Sequence, residues 1–99
     1  MVDLDKSISV ARKSGTTELG INSAIRAAKM ATAKLIVIAA NTPQQQREDL
    51  IYYANLSEIP VIEYPKTSQE LGIVCGRAHL TSAITIFSPG DSDILSVIE

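Results

Sequence analysis

Apolar residues in this chain follow two periods, one typical of helices and one typical of buried strands. Leu4, Ile8 and Ala11 recur at helical spacing and predict a first helix over 3–14, which Gly15 ends. By the same criterion, further helices are predicted at 22–31, 43–57 and 67–76. Runs rich in apolar or β-branched residues predict strands at 16–19, 35–39, 61–64 and 83–87. Helices and strands therefore alternate, which favours an α/β fold built as a three-layer α/β/α sandwich.

Polar residues that can cap a helix mark where several of these helices begin. Asn22 is a candidate N-cap of the second helix, and Thr67-Ser68-Gln69-Glu70 matches a capping box at the start of the fourth. After Pro89-Gly90, either Asp91 or Ser92 can cap a short last helix. The apolar positions of that helix are Ile94, Leu95 and Ile98.

The corner between the second strand and the third helix suggests a binding site. The apolar run ends at Asn41, and Thr42 and Pro43 open a helix whose first turn, Gln44–Arg47, is polar. Free backbone N–H groups and the positive end of the helix dipole favour an anion such as phosphate at such a corner. Its side chains are amides and one Arg, not acids or nucleophiles, so recognition is favoured over reaction.

Composition limits the class of protein. The 99 residues are 45% hydrophobic with no Trp and one Phe, which predicts a single domain over 1–99 with an aliphatic core. The single Cys excludes an internal disulfide framework and agrees with a reducing cytosol. Residues 2–5 lack the features of a secretory signal, and no apolar run approaches the ~20 residues that cross a bilayer. We expect a cytoplasmic protein without a membrane contact.

Charge is distributed unevenly along the chain. The net charge of −2 argues mildly against a nonspecific nucleic-acid binder, which is usually basic. Residues 1–47 hold seven bases and three acids, whereas residues 48–99 hold two bases and eight acids. Such asymmetry is a weak indication of an electrostatic face, because folding can intermix the two halves.

The residues that could perform catalysis do not form a recognised arrangement. Cys75 and His79 are four positions apart, but Gly76 is expected to end the helix between them, so a nucleophile–base pair is not implied. One His and one Cys cannot form a typical zinc site unaided, and no phosphate-binding or nucleophile-elbow motif is present. We expect no enzyme activity, no metal and no cofactor. A protein-interaction adaptor remains an alternative to a nucleic-acid binder.

Several short motifs resemble one family in order and spacing. They are Leu-Ile-Val-Ile-Ala-Ala-Asn-Thr-Pro (35–43), Tyr52-Tyr53-Ala54, Glu70-Leu71-Gly72, Gly76-Arg77 and Gly90-Asp91-Ser92-Asp93-Ile94-Leu95. Together they span essentially the whole chain and resemble large-subunit ribosomal protein thirty of archaea and eukaryotes. That family belongs to a superfamily that binds kink-turn RNA, a sharply bent internal loop. Each motif alone is weak evidence, whereas their collinearity is strong.

The resemblance implies a mixed four-stranded sheet and an RNA site built from three loops, at 20–22, 40–47 and 77–82. The sequence pattern selects the first two of these loops independently, because both lead from a strand into a helix N-terminus. The ligand implied is folded RNA with extruded bases. The candidate RNA-binding residues are Gly20, Ile21, Asn22, Asn41, Thr42, Gln46, Arg47, Arg77, His79, Leu80 and Thr81.

Roles follow for the residues of the first two loops. Gly20 permits close approach of a base or phosphate, and the amides of Asn22 and Asn41 suit the edge of a flipped base. Gln46 stands where some relatives have Arg, which leaves open whether Arg47 takes over the phosphate contact. The alternative roles are ordinary ones: Asn22, Thr42 and Pro43 as simple caps, Gly20 as a turn residue and Arg47 as a solvated charge.

In the third loop, His79 stands where some relatives have an aromatic residue that would stack on a base. Its imidazole offers a smaller stacking face, while Leu80 and Thr81 would supply shape and a hydroxyl. Arg77 is either an RNA contact or a solvated charge.

The resemblance thus implies a structural constituent of the large ribosomal subunit that binds a kink-turn-like internal loop of its RNA. Its partners would be large-subunit ribosomal RNA and neighbouring ribosomal proteins, and the free protein is expected to be a monomer. The alternative is an RNA-binding or protein-interaction adaptor of the same superfamily outside the ribosome.

Overall fold

The computed structural model describes residues 4–76, 81–88, 90, 92 and 94. Within them the helices are α1 (Leu4–Ser14), α2 (Ile21–Met30), α3 (Gln44–Leu56) and α4 (Ser68–Val74). The strands are β1 (Thr16–Leu19), β2 (Leu35–Ala39), β3 (Val61–Tyr64) and β4 (Ala83–Ser88). Each of these elements lies at a predicted segment, and its ends differ from the prediction by two residues or fewer.

The four strands form one mixed sheet in the order β1-β4-β2-β3. β2 and β3 are parallel, while β4 is antiparallel to both of its neighbours, β1 and β2. Strands β1, β2 and β3 consequently run in one direction, and their carboxyl ends lie at the same end of the sheet as the start of β4. The mixed four-stranded sheet is confirmed.

Side chains of the central strands alternate between two apolar clusters, one on each face of the sheet. Leu35, Val37 and Ala39 of β2 pack in the cluster that also holds residues of α1 and α4. Ile36 and Ile38 pack in the cluster that holds residues of α2 and α3. Every residue of β2 is buried, as its continuous apolar run predicts. Among the described residues, two helices therefore cover each face, which confirms the α/β/α sandwich.

The predicted N-cap of α2 is wrong. The N-cap is Gly20, whose carbonyl accepts the first helical hydrogen bond from the Ala24 N–H at 3.2 Å, so Asn22 lies inside the first turn. Gly20 has φ 108° and ψ 150°, a conformation that is essentially restricted to glycine. The turn into the helix is therefore made by the backbone conformation of this glycine and not by a side-chain cap.

The predicted cap of α4 is confirmed, because Thr67 Oγ1 accepts a hydrogen bond from the Glu70 N–H at 3.4 Å. At the predicted last helix, Ser92 Oγ accepts from the Ile94 N–H at 3.1 Å, and Ile94 is buried. The rest of that predicted helix lies outside the described residues. None of the helices that the structure describes is long and apolar enough to cross a membrane.

Candidate nucleic-acid interface

The predicted loops meet at the end of the sheet where three strands finish and β4 begins. Backbone hydrogen bonds join them: the Gly20 N–H donates to the Ala83 carbonyl at 2.8 Å, and the Ala39 N–H donates to the Ser82 carbonyl at 2.8 Å. We call this region the loop end. It consists of residues 20–22, 39–47, 64–68 and 81–83. The structure thus brings together the first two predicted loops and the described part of the third.

Gly20 lies next to open space at the loop end. A Cβ placed on this residue would find no atom within 4 Å apart from those of its chain neighbours. The positive φ excludes most side chains nevertheless, so the glycine is required by conformation and not by crowding. The result is an accessible stretch of backbone beside the first turn of α2, as its predicted role requires.

Neither α2 nor α3 has a side-chain cap at its N-terminus. Gly20 has no side chain, and Pro43, the N-cap of α3, cannot offer a polar one. The first-turn N–H groups of both helices therefore lack a side-chain acceptor at the cap position. Asn22 is exposed in the first turn of α2, while Ile21 is partly buried and packs against the core.

Asn41 links two of the loops. Its Oδ1 accepts a hydrogen bond from the Ser68 N–H at 2.8 Å, at the start of α4. The Ser68 carbonyl in turn accepts from the Thr81 N–H at 3.0 Å. Asn41 is exposed all the same. The residue therefore braces the turn and remains accessible to a ligand.

Thr42 and Thr81 lie below the surface, with 7% and 2% of their area exposed. The Thr42 hydroxyl lies 2.8 Å from the Ala39 carbonyl and 3.2 Å from the Ser82 carbonyl, either of which can accept its proton. Both threonines were predicted as contact residues. In this structure they shape the surface from beneath.

Arg47 makes three contacts within the protein. Its guanidinium donates to Glu63 Oε2 at 3.1 Å and to the carbonyls of Ala39 and Ala40 at 3.2 and 2.9 Å. Its side chain is 22% exposed. The group holds α3 against the ends of β2 and β3 and satisfies two carbonyls where β2 finishes. Gln46, beside it, is half-buried.

A second ion pair at the loop end joins Lys66 to Asp5, with 3.3 Å between Nζ and Oδ2. Both side chains are substantially exposed, so this pair contributes little to stability. Beneath it, Tyr64 is fully buried, and its hydroxyl has no hydrogen-bond partner among the described residues. Burial first, and then the nearby Asp5 carboxylate, raises the pKa of Tyr64 above its ordinary value.

Three of the predicted contact residues, Arg77, His79 and Leu80, lie outside the described residues. Within the described part of the chain, no group of three or more His, Cys, Asp or Glu side chains is arranged to hold a metal ion.

The end of the sheet opposite to the loop end is basic. Arg12 and Lys13 lie in the last turn of α1, Lys29 lies in the last turn of α2, and Lys34 directly precedes β2. Neither ion pair formed by the described residues includes any of them. Lys29 instead lies over the ring of Tyr53, 4.8 Å from its centroid.

The charge asymmetry of the sequence does not divide the molecule into a basic and an acidic face. The strand order β1-β4-β2-β3 alternates strands from the first and the second half of the chain.

Sequence reasoning missed Ser68 as a part of the loop end. Its N–H and carbonyl connect the loop of Asn41 with residue 81, although Asn41 and Ser68 are far apart in the sequence. The capping box at Thr67 already marked a third helix start after a strand. Because β2 and β3 are parallel, the helix that follows β3 begins at the same end of the sheet as α3. The capping box could therefore have located this turn at the loop end.

Comparison with known proteins identifies the family. The model of the Ribosomal protein L7Ae/L30e/S12e/Gadd45 family matches residues 3–96. The large ribosomal subunit protein eL30 of Methanothermobacter thermautotrophicus is 44% identical over 98% of this chain and 99% of its own length. The protein of the same name from Methanopyrus kandleri is 39% identical over 99% of this chain and 90% of its own length.

A solved structure shares the fold. It is described as a protein with unknown function from Bacillus halodurans C, and it superposes with a TM-score of 0.82 over 99% of this chain and 97% of its own. At 17% identity this likeness supports the fold alone. The family model and the archaeal relatives confirm the resemblance seen in the sequence. The chain belongs to the Ribosomal protein L7Ae/L30e/S12e/Gadd45 family.

Proposed function

We propose that this protein is a structural constituent of the large ribosomal subunit and binds a kink-turn-like internal loop of large-subunit ribosomal RNA through its loop end. The observation that carries the proposal is the near full-length similarity to proteins named as large ribosomal subunit components. The role is binding and not catalysis. Its partners are ribosomal RNA and neighbouring ribosomal proteins in the cytoplasm, and the free protein is a monomer.

The geometry of the loop end supports this proposal. Exposed amides at Asn22 and Asn41 suit the edges of unstacked bases, which is where proteins mainly recognise RNA. The uncapped N-termini of α2 and α3 offer N–H groups and positive dipole ends to phosphates. Gly20 leaves space for a base or phosphate to approach the backbone.

The other proposed site residues have different parts. Ile21, Thr42 and Thr81 shape the surface, while Gln46 and Arg47 lie at the rim that α3 forms. The proposed site also includes Arg77, His79 and Leu80, because the family resemblance implies that their loop belongs to the RNA site. A surface made of these groups is suited to recognise the shape of a bent RNA loop. It is less suited to recognise the phosphate charge that any duplex also carries.

A binding comparison tests the proposal. The purified protein is titrated with a kinked internal-loop RNA and with a duplex of matched length and composition at physiological salt. Preferential binding of the loop is expected, because only the loop presents unstacked bases. Equal affinity for the two RNAs would refute the proposed function. Binding to neither RNA, with capture of a protein partner, would favour the adaptor alternative.

A further inference from the structure

The two outer strands of the sheet differ in regularity. Among the described strands, β1 and β3 each have a neighbour on one side only. The pairing of β1 with β4 shifts register between Thr16 and Thr17, and such an irregularity hinders the addition of a further strand. β3 pairs with β2 residue by residue over Val61–Tyr64. β3 is therefore the regular open edge of the described sheet.

Two residues of β3 direct their backbone polar groups away from β2. The Ile36 N–H donates to the Pro60 carbonyl at 3.1 Å, and Ile36 is the register partner of Val61. In a parallel ladder this geometry makes Ile62 bond to β2 and turns the N–H and carbonyl groups of Val61 and Glu63 outward. No other described residue forms a hydrogen bond with these four outward groups. They are available to an additional strand.

A groove lies beside this edge, between β3 and α3. It has a volume of about 280 Å³, and its apolar lining consists of Ile38, Ile51, Ile59, Pro60 and Val61. Ile51 is 38% exposed there. Every second side chain of a strand added to β3 would point to this face of the sheet and lie over the groove. The edge thus offers backbone hydrogen bonds, and the groove offers apolar contact for alternate side chains.

The charge around the groove is acidic. Among the described residues that line it, Arg47 is the one cation, and it is paired with Glu63 at 3.1 Å between Nη1 and Oε2. Glu48 lies one turn before Ile51 and is exposed, and the exposed Glu58 follows the end of α3. Such a rim repels RNA phosphates, and it also repels the same rim on a second copy of the chain. It attracts a basic partner.

From these observations we infer that the open edge of β3 is a docking site for an extended, basic polypeptide segment of another protein. The segment adds as a strand beside β3, bonds to the backbone of Val61 and Glu63, and places an apolar side chain in the groove. Its lysines or arginines face the acidic rim. The inference goes beyond the proposed function, because it assigns a surface and a chemistry to a protein contact that does not depend on the RNA site.

A peptide titration followed by NMR tests the docking site. The probe is a short synthetic peptide that alternates valine with lysine, and the comparison peptide alternates valine with glutamate. The valine–lysine peptide should shift the backbone amide signals of Val61 and Glu63, whereas the valine–glutamate peptide should leave them in place. Equal effects of the two peptides, or no effect of either, would overturn the inference.

A pair of variants in α3 tests the groove. Ile51→Asn makes its wall polar, and Leu56→Asn is the matched control, because Leu56 is 67% exposed and does not line the groove. Affinity for the valine–lysine peptide should fall about 5-fold in Ile51→Asn, as expected for loss of a modest apolar contact, and stay unchanged in Leu56→Asn. Thermal unfolding verifies that both variants are folded. Equal affinities of the two folded variants would contradict the inference.

A pair of variants in β3 tests the edge. Glu63→Pro removes an outward N–H and leaves the bonds of Ile62 and Tyr64 to β2 in place, whereas Glu63→Gln removes the charge alone. The valine–lysine peptide should bind Glu63→Pro about 5-fold more weakly than Glu63→Gln, because one backbone hydrogen bond is lost. Equal binding by these variants would exclude strand addition.

Other occupants of the edge would give different signals. Shifts of Ile51 and Val61 caused by kinked RNA and not by the peptide would assign the edge to RNA. Shifts of these residues that grow with protein concentration alone would assign it to a second copy. Either result would overturn the inference. The preference of the wild type for the kinked loop over the duplex is measured separately and tests the proposed function alone.

Discussion

The two ends of the sheet differ in where their positive charge comes from. The N-termini of α2, α3 and α4 point to the loop end, where Arg47 and Lys66 are engaged in ion pairs. The C-termini of α1, α2 and α3 lie at the opposite end, which carries Arg12, Lys13 and Lys29. Cations in the last turn of a helix are stabilised by its dipole. The basic residues at the opposite end therefore have a structural reason to be there that involves no ligand.

Under the proposed function, this difference explains how an acidic chain can provide a surface for RNA. At the loop end, backbone N–H groups and helix dipoles supply the positive potential, and they are fixed in position by the fold. At the opposite end, long side chains supply charge without a fixed geometry. Under the proposed function, counting bases along the sequence would select the opposite end, which is not the end proposed to bind RNA.

The largest effect is expected from Gly20→Ala at the loop end. A non-glycine residue at φ 108° and ψ 150° is strained, which should lower the free energy of unfolding by about 1–3 kcal/mol. Affinity for the kinked loop should fall as well, because the start of α2 must shift. Denaturant unfolding and RNA titration measure the two changes. An unaltered unfolding midpoint would contradict this prediction. It would mean that residue 20 can adopt another backbone conformation without loss of stability.

A direct comparison of the two ends uses Asn41→Ala and Arg12→Ala. Loss of the Asn41 amide should weaken binding to the kinked loop by about 1–3 kcal/mol, as expected for a base-specific contact. Arg12 lies in the last turn of α1 and should contribute only diffuse attraction, similar for any RNA. Thermal unfolding of the same samples controls for the loss of the Asn41 brace. Equal affinity losses in two folded variants would remove Asn41 from the site.

Arg47→Met tests whether a cation at the loop end serves the fold or the ligand. The substitution removes the ion pair with Glu63 and the bonds to the Ala39 and Ala40 carbonyls, at a cost of about 1 kcal/mol in unfolding free energy. Affinity for the kinked loop should change less than in Asn41→Ala. A large loss of affinity with unchanged stability would instead make Arg47 a phosphate contact.

The smallest effect concerns salt. The slope of log affinity against log salt concentration should be shallower than about −6, because few phosphates meet a cationic side chain at the loop end. Lys29→Gln combined with Lys34→Gln at the opposite end should leave this slope unchanged. Titrations over a range of salt concentrations measure both slopes. A steep slope that becomes shallower in the double variant would indicate that the opposite end also contacts RNA.

The sequence predicted the elements and the location of the loops because these depend on local patterns. The buried run of β2 and the Thr67 cap needed only residues close in sequence. The N-cap of α2 was missed because a glycine conformation replaced the expected Asn22 cap. Local signals were sufficient wherever hydrophobic period and side-chain caps decide the structure.

The state of the individual site residues could not be predicted, because it depends on contacts between distant segments. Asn41 bonds to Ser68, Arg47 bonds to Glu63, and the Thr42 hydroxyl lies within reach of the Ser82 carbonyl. Each pair combines residues from different strand–helix units. No pattern in the sequence shows which side chains of a loop are engaged within the protein and which remain available.

The position of β4 has a consequence for the order in which the molecule can be assembled during synthesis. β4 is the last strand along the described chain, yet it lies between β1 and β2 in the sheet. A nascent chain that stops before Ala83 leaves β1 without a neighbouring strand and Gly20 without its carbonyl partner. The loop end can form only after β4 has emerged, so the surface proposed to bind RNA is incomplete in the unfinished chain.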